Sequence, residues 1–402
     1  MKKAIKRTIS LAMCAVLLFG ALGISAFAET ADGNEKLPYK CYTYIGDSIP
    51  WGYGLNRELD TGNRDNVCVR VDGAYTDIVG KVLEENNGAE VHAAASSGAR
   101  ASEFRSLFEI GMGVAEPYSC TEDWFGSRHP DRTEALLNKA DLICGWVSES
   151  DLITVQIGIN DITAMLVNSL SATGVIDLGK ITAISDAESV LEYIQYALNN
   201  LREDPMVLDN VIKAFNSEVL TLRRNTAEIV KDVVTLAPEE ADILLVGYHN
   251  AAQSLRIIPG TDFSIIFEIV NTAIASLNDY YAGLASQYGN VYYVSAPYAS
   301  CFYPQGTDIT DILADTSAVL LGIHPDAAGH EYIAQRVLAT LDKINDDSDT
   351  HHCQDAAKIT TPDGKTVNVP VNTINQTVHA VTHAITSTAT RIFNGIASLF
   401  AR

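Results

Sequence analysis

The stretch Cys41-Tyr42-Thr43-Tyr44-Ile45-Gly46-Asp47-Ser48 is a β-rich run that stops abruptly at a glycine and a serine. The same grammar recurs downstream. Val91-His-Ala-Ala-Ala95 is a short apolar run ending at Ser96-Ser97-Gly98, and Asp151-Leu-Ile-Thr-Val-Gln-Ile157 stops at Gly158. Ala241 to Val246 and Asn290 to Ser295 read as two further strands. Runs of this length without alternation are buried on both faces, as in parallel sheets. Helical patterns separate them: Asp77 to Glu85 (with Ile78, Val79, Val82 and Leu83 on one face), Ala187 to Leu201, Met206 to Val234, Phe263 to Gln287 and His330 to Ile344. Strands alternating with helices predict an α/β protein, a parallel sheet with helices on both faces. Ligands sit outside the carboxyl ends of such strands. The three Gly-polar clusters are therefore expected to converge.

The flanks carry different signals. Lys2, Lys3, Lys6 and Arg7 precede an apolar stretch from Ile9 to Ile24, and Ala26-Phe27-Ala28 follows. This predicts a signal peptide over residues 1–28, cut after Ala28, and a secreted product. The leader holds four of the 28 basic residues and none of the 50 acidic ones, so its removal takes the net charge from −22 to −26. So acidic a chain is expected to avoid nucleic acid and anionic membrane surfaces. Six cysteines remain, an even set that in an exported chain implies up to three disulfides. No CxxC is present and no Cys/His pair has zinc-ligand spacing; His379 and His383, four apart, could hold a metal but lack a third ligand, so neither metal nor cofactor is expected. After the polar run Asn345 to His352, the tail 346–402 places Ile374, Val378, Val381, Ile385, Ile392, Ile396 and Leu399 at helical intervals. That predicts an amphipathic helix suited to docking, self-association or weak surface attachment. Residues 169–236 read as a helical insertion, either a lid or packing.

A serine hydroxyl becomes a nucleophile only when a neighbouring base takes its proton. A glycine-rich turn at a strand end exposes the hydroxyl and frees backbone N–H groups for a developing oxyanion. Gly46-Asp47-Ser48 with Gly52-Tyr-Gly54-Leu55 resembles the first sequence block of SGNH (GDSL) hydrolases. Ser97-Gly98-Ala99 resembles the second, Gly158-Ile159-Asn160-Asp161 the third, and His324-Pro325-Asp326 with Gly329-His330 the block that carries the histidine. Four blocks in order, from Gly46 to His330, imply a flavodoxin-like three-layer α/β/α sandwich over residues 36–345. They also imply an esterase or lipase whose nucleophile is Ser48 and whose general base is His324. Ser48 N–H, Gly98 N–H and the Asn160 amide would form the oxyanion hole. His330 is assigned packing or capping.

One position departs from the pattern. Where the family usually carries an aspartate three residues before the histidine, this chain has Leu321. A secreted, disulfide-bonded branch of the family also lacks that acid and orients its histidine by a backbone carbonyl. Cys68, followed by Arg70 and Tyr75, resembles that branch. The resemblance implies a Ser48–His324 dyad oriented by the carbonyl of Leu321 or Gly322, with Asp315 and Asp326 as possible stand-ins. It also implies the pairs Cys41–Cys68, Cys120–Cys144 and Cys301–Cys353. The expected substrate is a small-molecule, lipid or glycan ester. Two other classes remain open: an inactive binding or adhesion protein on the same fold, and an acyltransferase acting on cell-wall or sugar alcohols.

Overall fold

In the computed structural model, residues 37–56, 59, 67–120, 130–183, 187–249, 264–297, 324–348, 357–360 and 366–369 are described. The chain divides into residues 1–38 and 39–402, and all that follows concerns the second unit. Its elements begin with β1 (Cys41–Gly46), α1 (Ser48–Trp51), α2 (Tyr75–Asn87), β2 (Glu90–Ala95), α3 (Ala101–Gly111), α4 (Pro130–Leu137), α5 (Ala140–Glu149) and β3 (Leu152–Gln156). They continue with α6 (Ile159–Ala172), α7 (Leu178–Ala183), α8 (Ala187–Glu203), α9 (Pro205–Leu236), β4 (Asp242–Val246), α10 (Ser264–Ala285), β5 (Val291–Val294) and α11 (Ala327–Ser348). A hairpin, β6 (Ala357–Thr360) with β7 (Thr366–Val369), closes the described chain.

The central sheet is parallel throughout, in the order β2-β1-β3-β4-β5. Its strand order reverses between β1 and β3, and that reversal opens a crevice at their carboxyl ends. Both faces are covered, so the inner strands are buried: β3 is buried at every position and β1 at all but its first. On one side α2 packs on α11; a second group joins α3, α5, α6 and α9. This is the expected α/β sandwich.

Three features differ from the sequence expectation. The segment from Ala101, to which the sequence reading assigns no helix, forms α3, because Phe104, Leu107 and Phe108 share one buried helical face. Residues 169–236 do not form one uniform insertion. Leu170, Val175, Ala197, Leu198, Leu201, Leu208 and Val211 make a small core of their own, while Ile229, Val230 and Val233 at the far end of α9 are buried where that helix packs on α3 and α5. In the tail, the hairpin β6–β7 was not foreseen; the predicted amphipathic helix lies outside the described residues, as does the leader.

Two of the three expected cysteine pairs are corrected. Cys41, Cys68, Cys120 and Cys144 are all free. Cys41 opens β1, whereas the Cys68 N–H donates to the Ala95 carbonyl, and Ala95 is in register with Gly46 at the other end of that strand. Five residues of strand separate the two by about 16 Å, far beyond disulfide reach. Cys120 lies beside the Ser106 hydroxyl, and Cys144 sulfur abuts Gly111. Those contacts are five residues apart on α3, about 7.5 Å along its axis. Cys301 and Cys353 lie outside the described residues.

Candidate active site

Gly46 makes the first turn possible. Its backbone has φ +153°, and a Cβ there would sit 2.0 Å from the Gln156 carbonyl oxygen. Only glycine lets β1 run this close to β3 before turning. Asp47 then caps α1: its Oδ1 accepts the Ile49 N–H at 3.1 Å. Ser48 is the first residue of that short helix. Its carbonyl accepts N–H groups from Gly52 and Tyr53, which holds the turn in shape.

His324 reaches Ser48 from a position 276 residues away. Its Nε2 lies 2.7 Å from Ser48 Oγ, and both residues are buried. The imidazole also lies 4.6 Å from the Tyr53 ring, centroid to centroid. Asp326, offered as a stand-in acid, sits at the N-cap of α11, where Oδ1 accepts the Gly329 N–H at 2.8 Å. Leu321, Gly322 and Asp315 lie outside the described residues. His330 is fully buried, accepts the Tyr75 N–H on Nδ1 at 3.1 Å and stacks on the Tyr75 ring. Burial pushes it down to about 3, so it is neutral. It closes the start of α2 rather than doing chemistry.

The remaining site residues come from the ends of β2 and β3. The Ser96 N–H donates to the Gly46 carbonyl, which brings the Ser96–Gly98 turn beside Ser48. Gly98 has φ +78°, a conformation costly for any side-chain-bearing residue. Asn160 Nδ2 donates to the Ala99 carbonyl at 3.0 Å, so the amide is tied to that turn and keeps a second N–H. Among the described residues, the Ser48 and Gly98 N–H groups have no acceptor. Ser48, Gly98, Asn160 and His324 are thus gathered at the strand-order reversal.

Some polar residues of the site had no signal of their own in the sequence. Asp47 is wholly buried and Asp161 partly so, and each is pushed up to about 7, by burial first. The Tyr248 hydroxyl donates to Asp47, and Asp161 Oδ2 accepts the Ala101 N–H at 2.9 Å. The Asn160-Asp161 pair therefore grips the Gly98 turn twice. Asp161 was visible only as part of a block, and Tyr248 only as the residue after a strand-ending glycine. Among the described residues, no group of three or more His, Cys, Asp or Glu side chains is placed to hold a metal, and no helix is long and apolar enough to cross a membrane.

The arrangement can move a proton from a serine hydroxyl to an imidazole beside free N–H donors. Compared with known proteins, residues 44–332 match the GDSL-like lipase/acylhydrolase family. No curated protein matches the chain. Among solved structures, an extracellular lipase from Streptomyces rimosus is 16% identical, covers 75% of this chain and 99% of its own, and superposes with a TM-score of 0.41. A phospholipase A1 from Streptomyces albidoflavus is 15% identical, with 75% and 99% covered and a TM-score of 0.36. An acetyl-xylooligosaccharide esterase from Geobacillus stearothermophilus is 15% identical, with 75% and 94% covered and a TM-score of 0.35.

Proposed function

Because the chain belongs to the GDSL-like lipase/acylhydrolase family, we propose that it hydrolyses carboxylic esters through an acyl-enzyme on Ser48. The observation that carries this reading is the 2.7 Å contact between Ser48 Oγ and His324 Nε2. His324 takes the hydroxyl proton as Ser48 attacks the ester carbonyl. The oxyanion of the tetrahedral intermediate is met by Ser48 N–H, Gly98 N–H and the second Asn160 N–H. Removing one such donor typically costs about 3–4 kcal/mol of barrier. His324 then protonates the departing alcohol, and a water activated by the same imidazole releases the acid. The carbonyl of Leu321 or Gly322 orients His324 in this proposal, which rests on the sequence position of those residues.

Export after cleavage at Ala28 belongs to the same proposal, supported by the charged, apolar and small-residue regions of the leader. So does a lipid or acylated-glycan substrate, in keeping with the family's chemistry. The test is turnover of p-nitrophenyl esters of rising chain length, with a serine-directed fluorophosphonate as label. Ser48-dependent turnover and labelling at Ser48 are expected, and Ser48→Ala should lose both while staying folded. Activity surviving in Ser48→Ala would sink the mechanism. Neither labelling nor turnover in the wild type would favour a binding protein, and acyl transfer outrunning hydrolysis on added alcohols would favour a transferase.

A further inference from the structure

One buried hydroxyl stands beside the nucleophile turn without a step in the mechanism above. Tyr248, the second residue after β4, is 2% exposed, and its hydroxyl donates to Oδ2 of the fully buried Asp47. The other carboxyl oxygen, Oδ1, accepts the Ile49 N–H, so both oxygens of Asp47 are engaged. The Gly158 N–H also points toward the Asp47 carboxyl, and the Ile159 N–H toward the Tyr248 oxygen. Asn160 is the next residue. The Tyr248–Asp47 pair therefore stands between the turn that carries Ser48 and the turn that carries Asn160.

Tyr248 is itself firmly held. Its N–H donates to Asn278 Oδ1 and its carbonyl accepts Asn278 Nδ2, both at 2.8 Å, which ties it to α10. Gln156 Nε2 donates to the preceding Gly247 carbonyl at 3.1 Å. The element that Tyr248 supports cannot anchor itself: α1 has four residues, and a single turn has too few internal bonds to fix its own geometry. Asp47 fixes it instead, with its N–H on the Gln156 carbonyl at 3.2 Å and its side chain capping α1. The peptide between Asp47 and Ser48 carries the Ser48 N–H, so the setting of Asp47 aims that donor as well as the Ser48 hydroxyl. Packing alone does not call for such a pair. Two apolar groups of the same shape are often tolerated as well in a core, whereas each polar group is costly to bury alone. Phenylalanine at 248 would fill the same space and leave Asp47 Oδ2 without its donor.

We propose that Tyr248 is a positioning residue of the ester-hydrolase site, acting through Asp47 to hold Ser48 in register with His324 and with the Asn160 turn. This rests on the ester-hydrolase reading. A displacement of about 1 Å at the reacting atoms can cost about a hundredfold in rate, so a loosened Asp47 is expected to be felt in turnover. Ser48 N–H and Asn160 serve both the acylation and the deacylation steps. Loss of the Tyr248 hydroxyl should therefore lower kcat and kcat/KM together and leave KM nearly unchanged.

The test is a double-mutant cycle on p-nitrophenyl butyrate with Tyr248→Phe, Asp47→Ala and the two combined, each checked for folding by circular dichroism. Tyr248→Phe should lose about tenfold in kcat with KM within about twofold, and the rate of Ser48 phosphonylation should fall by a similar factor. Asp47→Ala should lose at least as much. With Asp47 gone, adding Tyr248→Phe should cost no more than about threefold further, because the hydroxyl has nothing left to act through. An unchanged kcat in folded Tyr248→Phe, a loss carried by KM, or the full tenfold loss repeated in the Asp47→Ala background would overturn the proposal. Should Tyr248→Phe fail to fold, Asn278→Ala, which frees the Tyr248 backbone, should lower kcat at least threefold, and an unchanged kcat there would overturn it equally. Wild-type protein with no Ser48-dependent turnover would overturn the functional reading itself, whereas normal wild-type turnover with Tyr248→Phe unaffected overturns only this inference.

Discussion

Asp326 and His324 sit two residues apart and bear on activity in opposite ways. The Asp326 carboxylate accepts the Gly329 N–H as the cap of α11. Asparagine caps a helix about as well as aspartate, so Asp326→Asn should be nearly neutral for stability. If no carboxylate completes a triad, the same variant should keep ester hydrolysis within about threefold of wild type. His324→Ala should lose about four orders of magnitude or more, as removal of a catalytic base generally does. Steady-state kinetics on a soluble ester settles this; an Asp326→Asn loss matching that of His324→Ala would make Asp326 the third member. Ser48, Gly98, Asn160 and His324 were legible because each follows a strand end or opens a helix in a compact local block. Asp47's bond to Tyr248 spans 201 residues and Arg132's to Glu103 spans 29. No local pattern announces such pairs, and only the fold brings them together.

At the scale of elements, strands were read well and helices unevenly. β1, β2 and β3 were visible as apolar runs ending in glycine or small residues. The site positions follow from those ends, since a parallel sheet presents its carboxyl termini along one edge. α3 was missed because its apolar residues sit in a segment that also contains Gly111, Gly113 and Pro117, which read as loop. The pairing of Cys41 with Cys68 and of Cys120 with Cys144 failed for a different reason. Even cysteine count is a global cue, whereas pairing depends on which end of a strand each residue occupies. Cys41 and Cys68 flank opposite ends of β1, and burial pushes the Cys68 thiol up to about 12 and Cys144 up to about 11. Thiols so disfavoured as thiolates exchange slowly. Alkylation of the denatured, unreduced, leader-free protein, mapped by mass spectrometry, should therefore label Cys41, Cys68, Cys120 and Cys144. Recovering Cys41 and Cys68 as one disulfide-linked peptide pair would mean that β1 does not carry them as described.

Over the whole molecule, the buried groups set how stability depends on pH. Asp47 and Asp161 are pushed up to about 7 and Asp232 up to about 6, burial being the first cause in each. From the ordinary carboxylate value near 4 up to those pH values, the native state binds these protons more tightly than the unfolded chain does. Their contribution is therefore full below about pH 4 and is lost as pH rises through about 6 to 7. His330 works the other way. Burial holds it down to about 3, so between about pH 3 and 6.5 the unfolded chain takes up a proton that the native state refuses, and stability gains as pH rises. Asp77, held below its ordinary value against its burial by Lys81, the Gly73 N–H and Arg70, and Glu84, held down by Arg70, also gain with rising pH, but only below about pH 4.5. From pH 5 to pH 7 these three carboxyls oppose one histidine, and Asp242 and Asp342, also raised by burial, act on the carboxyls' side, so stability should fall. A group fully engaged over one pH unit contributes about 1.4 kcal/mol. Urea unfolding at pH 5, 6 and 7 measures the slope, and Asp47→Asn removes one of these carboxyls while keeping an acceptor for the Ile49 N–H. That variant should lose less stability between pH 5 and 7 than wild type, by up to about 1.4 kcal/mol per unit. Wild-type stability that rises across this window, or a slope that Asp47→Asn leaves untouched, would mean that the carboxyl beside the nucleophile is ionised in the folded protein, and that Tyr248 and Ile49 N–H stabilise its charge more than burial opposes it.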